Sequence, residues 1–204
     1  MFGKIASDAL GLSDIGAVIG PADYNKVEAD DYILHEDGEK IFFLIKSKSD
    51  EYCFTNLALL HLDGASAASK KRMLRRFAWA THPVSHVMLE TAGNIDMDVE
   101  IKFRMGEHNY SIDIHKKHLT EVKDLYKALY AIAETTRLNK IWLQHAHSSL
   151  NVASATLGRA PAGAGNIVES FRELNLAAFE WLTGAEDRYT VRDFSSVFER
   201  YIHN

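Results

Sequence analysis

The residue types able to do chemistry are ten histidines, one cysteine, a run of carboxylates and a run of cations. His82 and His86 stand four apart, a spacing that suits two metal ligands on one helical face. Pro83 between them denies a regular helix. On a strand the same pair would share a face but sit ~13 Å apart, too far for one ion. His145 and His147 fall two apart on an expected helix and so point to different sides. His115 and His118 flank an expected strand-to-helix junction, and no cysteine accompanies any pair. Cys53 is the sole cysteine, so no intrachain disulfide forms; its setting between Tyr52 and Phe54 reads as a small buried side chain. Asp96, Asp98 and Glu100 alternate along an expected strand and read as a solubilising face, because acid–base work needs a cleft that shifts their pKa values. No nucleophile sits beside a base and no glycine-rich loop is shaped for phosphate. The sequence therefore assigns no catalytic residue, no metal ligand and no cofactor, and an enzyme is not expected.

The cations are more concentrated. Lys70, Lys71, Arg72, Arg75 and Arg76 form the one dense basic stretch, a candidate anion-binding patch for lipid head groups or an acidic protein. Near an anionic membrane each such charge is worth roughly 1 kcal/mol. The competing reading is a solvated loop, or pairing with carboxylates of a neighbouring subunit. The net charge of −5 argues against general nucleic-acid binding. No leader-like stretch opens the sequence and no apolar run approaches the ~20 residues of a membrane span, so the expectation is a cytoplasmic protein.

The elements that must carry these residues follow from periodicity. Phe2–Leu10 and Ser13–Ile19 read as two short helices that cover a sheet edge or face. Ile41–Ile45, Tyr52–Thr55 and Leu57–Leu62 read as three short strands, closed by Asp63-Gly64. Leu74–Thr81 and Val84–Thr91 follow, separated by His82-Pro83. Met97–Met105 alternates apolar and charged residues, the clearest period of two in the chain, and Tyr110, Ile112 and Ile114 continue it. The period then changes to three and four over Leu119, Val122, Leu125, Leu129 and Ala133, an amphipathic helix. Seven antiparallel strands followed by one helix suggest an α+β chain with a small barrel plugged at one end.

Beyond this first domain, residues 1–133, the sequence is helical. Leu138, Ile141, Trp142, His145, Ser149 and Val152 make one stripe, ended by Gly158. GRAPAGAG, residues 158–165, joins it to a second helix, with Asn166 and Glu169 spaced as a capping box. Ile167, Phe171, Leu174, Ala178 and Leu182 make a second stripe that Gly184 is expected to stop. Thr190 begins a last helix. Residues 136–204 are thus an all-α hairpin extension with more apolar mass than one hairpin buries. Phe171, Leu174, Trp181, Phe194 and Phe198 are the candidate oligomer or inter-domain interface, and another copy of the chain is the simplest cover.

The segments LHEDGEKIFFLIKSKSDEYCFTNLALLHLDG, SKKRMLRRF, HPVSHVMLETAG, DVEIKF and KDLYKAL, in that order, resemble the bacterial pleckstrin homology (PH) domain family over about residues 1–133. The remainder is similar to the YvbH-like oligomerisation region that follows that domain in some members. The resemblance implies a PH-like barrel of seven strands capped by one helix, ring-like homo-oligomers and an unassigned cellular role, with no catalytic residues to carry over. Many eukaryotic PH domains bind phosphoinositides through basic residues after the first strand. Here Lys46 and Lys48 are opposed by Asp50 and Glu51, a departure that argues against that ligand.

Overall fold

The computed structural model describes residues 15–64, 72–91, 98–157 and 167–203. The expected helix over Phe2–Leu10, the loop at 158–165 and the cap at Asn166 lie outside these residues. Eight strands are described: β1 (Ala17–Ile19), β2 (Ile41–Lys46), β3 (Asp50–Thr55), β4 (Ala58–Gly64), β5 (Arg72–Ala78), β6 (Val84–Glu90), β7 (Asp98–Met105) and β8 (His108–His115). The first five form one antiparallel sheet in chain order, and the last three form another. Three helices follow: α1 (Leu119–Leu157), α2 (Ile167–Tyr189) and α3 (Ser195–Tyr201).

Alternation explains the second sheet. Val99, Ile101, Phe103 and Met105 are buried while Asp98, Glu100, Lys102 and Arg104 are half-exposed. That is the one-face-dry pattern of an antiparallel strand. The first sheet differs because both of its faces are covered. Leu44, Cys53, Ala58, Leu60 and Leu62 pack under Val27, Ala29 and Ile33, which come from three short turns of 3-10 helix between Pro21 and Asp37. On the opposite face Phe43 meets Phe54, and Phe54 meets Phe103 of the second sheet. Val122, Leu125, Leu129 and Ile132 of α1 are fully buried as well.

The two sheets touch at Gly16. Its N–H donates to Asp113 O at 2.8 Å, and its carbonyl accepts from His115 N at 2.9 Å. A Cβ there would lie 2.7 Å from Ile45 Cγ2 and 3.0 Å from the Asp113 carbonyl, so only glycine fits. Residues around Gly16 correct one expectation. Ala17–Ile19 is a strand paired with Leu44–Lys46, not the end of a short helix. Two β-branched residues and a buried–open–buried pattern favour an edge strand over a marginal helical turn.

The helical half also differs in two respects. The helix that plugs the first unit does not stop near Ala133; α1 runs unbroken for 39 residues to Leu157. No glycine or proline lies between Leu119 and Leu157, so nothing breaks the ladder. Likewise Gly184 does not stop α2, which continues to Tyr189. The last helix starts later than expected, at Ser195 rather than Thr190.

The chain divides into two compact units. One holds the described residues up to Glu134 together with those from Arg192 on. The other is Thr135–Val191. The last dozen residues thus belong with the strands rather than with the hairpin. Asn56 Nδ2 donates to Asp193 Oδ2 at 2.8 Å, Phe194 N donates to Asn56 O at 2.9 Å, and Phe198 stacks on Phe42 and lies against Trp79. Trp79 is itself held by a 2.9 Å bond from its indole N–H to Thr55 O.

Candidate interaction surfaces

Three of the five residues of the basic stretch lie in β5, and each meets a carboxylate of the same unit. Lys70 and Lys71 lie outside the described residues. Arg72 and Arg76 point to the outer face of the first sheet. Arg76 Nη2 donates to Glu39 Oε1 at 2.9 Å, and Arg72 stands 3.3 Å from Glu28 and 3.7 Å from Glu51. Glu39 and Glu51 are completely buried. Their other oxygens accept from the backbone N–H groups of Leu34 and Ala29, at 2.8 Å each, so the two carboxylates strap the 3-10 segment onto the sheet. Lys46 also pairs with Glu51, and Thr55 Oγ1 donates to Glu39 at 2.6 Å. Buried carboxylates persist only when paired and hydrogen-bonded. Arg72 and Arg76 therefore carry a structural duty.

Sequence reasoning missed these two carboxylates. A signal was present for one: Glu51 shares a strand face with Cys53 and Thr55, all buried. Strict alternation would have turned it inward.

Arg75 points to the other side, where the two sheets part. It donates to Asp63 Oδ2 at 2.8 Å and its guanidinium lies 3.5 Å from His61 Nδ1. His61 Nε2 lies 3.0 Å from Asp50 Oδ1, and its ring is stacked on Tyr52 and meets the edge of Tyr110. Tyr52, His61, Arg75, Tyr110 and His108 line a cavity of about 200 Å³. Burial, helped by the Asp50 charge, pushes the Tyr52 phenol well up; burial lifts Tyr110 to about 12. Burial alone would raise Asp50, but hydrogen bonds from His61 and Ser49 bring it below the usual carboxylate value. Both phenols thus stay neutral, and the Asp63 carboxylate offsets the Arg75 charge. The cluster comes from four strands, so no local spacing could reveal it.

Of the alternating carboxylates of β7, Glu100 sits in a surface cluster of ion pairs. Glu100 pairs with Lys102 at 2.7 Å and accepts from Ser111, and those two bonds hold it below its ordinary value. Lys102 also reaches Glu90 at 2.9 Å. Asp96 lies outside the described residues. Cys53 is fully buried, and burial pushes its thiol well up. Among the described residues no group of three His, Cys, Asp or Glu gathers closely enough to hold a metal ion. No described helix is long and apolar enough to cross a membrane.

The candidate interface residues separate into two sets. Phe194 and Phe198 are buried in the first unit, against elements of their own chain. Phe171, Leu174 and Trp181 stay 69%, 46% and 51% exposed on α2. Within the helical unit, α1 and α2 run antiparallel: Trp181 Nε1 donates to Ala146 O at 3.1 Å and Trp142 stacks on Tyr189. Among the described side chains of α2, only Ala178, Leu182, Ala185 and Tyr189 are even partly covered, a single stripe at four, three and four. Val168, Leu176 and Phe179 are left open as well.

Comparison with known proteins divides the chain near the same place after the strands but counts the terminal residues with the second half. The bacterial PH domain model matches residues 9–133, and the YvbH-like oligomerisation region matches residues 144–204. The uncharacterized protein YvbH of Bacillus subtilis (strain 168) is 53% identical over 204 residues, covering the whole of both chains. The crystal structure of a PH-domain-containing bacterial protein from Exiguobacterium sibiricum 255-15 superposes with a TM-score of 0.87 at 53% identity. It covers 93% of this chain and 100% of that one.

Proposed function

Because the chain belongs to the bacterial PH-domain family and carries a YvbH-like oligomerisation region, we propose that it is a non-enzymatic scaffold that assembles with copies of itself through its helical unit, Thr135–Val191. One observation carries this reading: α2 covers a single stripe against α1 and leaves Phe171, Leu174 and Trp181 in water. Isolated surface apolar residues are ordinary, whereas a contiguous set this large marks an interaction surface.

The absence of catalysis in this reading rests on how the titratable groups are used. Glu39 and Glu51 hold the 3-10 segment, Asp50 and Asp63 hold His61 and Arg75, and Glu100 holds Lys102. The arginines of β5 are engaged in the same way, which favours a structural role for the basic stretch over lipid binding.

Light scattering after gel filtration tests the proposal. The full chain is expected to run as an oligomer, and Phe171→Asp with Leu174→Asp to weaken assembly by about 100-fold or more, since central aromatic and aliphatic anchors carry ~2 kcal/mol or more each. A ring closed through the first unit would instead keep its mass in that variant. A monomeric full chain at all concentrations would sink the reading.

A further inference from the structure

Strand register brings a polar row together on the inner face of the first sheet. Tyr52 stands opposite His61 where β3 pairs with β4, and His61 opposite Arg75 where β4 pairs with β5. Residues directly opposite share a face, so the three side chains lie side by side. From the second sheet the Tyr110 ring meets them, 6.0 Å from the Tyr52 ring and 5.5 Å from that of His61. Phe103 stacks on Tyr110, and Phe77 packs edge-on against both Tyr110 and His108. Ring contacts thus hold the walls of the cavity of about 200 Å³, which Asn109 and Ser111 complete.

Hydrogen-bonding capacity is left over in that cavity. Among the described residues, Arg75 is engaged only through Nη1, by Asp63 at 2.8 Å and His61 at 3.5 Å. The Tyr110 hydroxyl makes one long contact, 3.5 Å to His61 Nδ1. The Tyr52 hydroxyl, the His108 ring and the Asn109 side chain meet no hydrogen-bond partner among the described residues. Charge and size then define the occupant. An anion would have Asp63 and Asp50 behind its donors, because they hold Arg75 and His61. A cation would face the guanidinium. An uncharged ligand meets neither penalty. Phenol, imidazole and carboxamide groups each donate and accept, as alcohols do, so neighbouring hydroxyls on one molecule match them. The volume falls below the ~300 Å³ at which sites for drug-sized ligands begin, which leaves room for one small ring. Neither Lys46 nor Lys48 lines the cavity.

We infer that this cavity binds an uncharged polyhydroxylated ring, a monosaccharide or cyclitol, whose hydroxyls are held by Arg75, Tyr52 and Tyr110. Arg75 offers its unused guanidinium N–H groups to ligand oxygens, and each phenol donates to one hydroxyl or accepts from another. The site lies wholly within the first unit, so it is independent of the self-association reading.

Saturation-transfer NMR on the full chain tests it, because the signal is read on the ligand and an oligomer is no obstacle. The probes are D-glucose, D-ribose and myo-inositol, each titrated to ~100 mM, a hundredfold above a millimolar dissociation constant. At least one is expected to bind saturably. Arg75→Ala is expected to weaken that binding about tenfold or more, and Tyr52→Phe about threefold or more, as the loss of a charged and of a neutral hydrogen bond. Both variants keep the fold: phenylalanine retains the Tyr52 ring, and the carboxylate that Arg75 leaves is a third exposed. Acetate and methyl phosphate, run alongside, are expected to show no saturable binding. Flat titrations with all three polyols would overturn the assignment. So would unchanged polyol binding in either variant, which places the ligand elsewhere, or saturable binding of either anion in place of the polyols.

Discussion

Asn56 and Asp193, 137 positions apart, are joined by a 2.8 Å hydrogen bond at the corner between β3 and β4. Asn56 Oδ1 meanwhile accepts from Lys40 N at 2.7 Å and its carbonyl accepts from Phe194 N. One buried amide thus ties the start of β2, the β3–β4 turn and the end of the chain together. Phe198 then completes the apolar side of the joint over Trp79 and Phe42.

Removing that aromatic should be severe. Phe198 is fully buried, and Phe198→Ala is expected to destabilise the first unit by about 3–5 kcal/mol, the range for emptying such a site. Asn56→Ala should cost ~1–3 kcal/mol through the backbone partners it strands. Urea unfolding followed by tryptophan fluorescence checks both; a loss below half of the lower bound would mean that the terminal segment is not part of the cooperative unit.

Acid should loosen the same joint. Partial burial alone would raise Asp193, but hydrogen bonds from Ser195 and Asn56 outweigh it and hold the carboxyl below its ordinary value. A depressed folded-state pKa contributes stability that is fully present above the unfolded value of about 3.9 and is lost as pH falls through the folded one. Asp50 shifts in the same direction through His61 and Ser49. Thermal melts from pH 6 downward should therefore fall less steeply below about pH 4 in Asp193→Asn than in the wild type.

Arginines of one strand should differ in effect. Arg76→Ala leaves the buried Glu39 carboxylate short of its cation, and losing one partner of a buried pair costs about 3–5 kcal/mol. Arg75→Ala, whose partner Asp63 is a third exposed, should cost less than ~1 kcal/mol. Denaturant midpoints of the two variants give the comparison. Equal effects would show that the Glu39 site is better solvated than its burial implies.

Gly16→Ala should act through space rather than flexibility. The added Cβ meets Ile45 Cγ2 and the Asp113 carbonyl, so the two sheets must separate locally. Overpacking of this size costs about 1–3 kcal/mol. Faster amide exchange at Gly16 and His115, the two donors across the bridge, is the local signature to measure.

Much of the fold was legible because its signals were local. The alternation in β7 names its own buried face, and the change of period at Leu119 marks the start of α1. Other features depended on partners that no window contains. Ala17–Ile19 becomes a strand only because β2 offers its edge. Glu39 and Glu51 read as loop and strand-surface acids until the arginines of β5 arrive beneath the 3-10 turns. Phe194 and Phe198 have the same apolar stripe as an interface helix, yet both are buried, and the cover of Phe198 is Trp79 and Phe42, more than a hundred residues earlier. Exposed and buried apolar stripes look alike in a sequence, so Phe171 and Phe198 could not be told apart there.

The return of residues 192–203 onto the first unit also imposes an order on biosynthesis. Chains emerge from the ribosome amino end first, and domains generally fold as they appear. Here the strands and both long helices are made before Phe198 exists, so Trp79 waits without its cover until residues 192–203 have been made. The nascent hairpin, with Phe171, Leu174 and Trp181 exposed, is open to other nascent chains before its own first unit is finished. Assembly on a shared messenger can then precede completion of the fold, and a stop codon before Phe198 would release a chain whose first unit is unfinished.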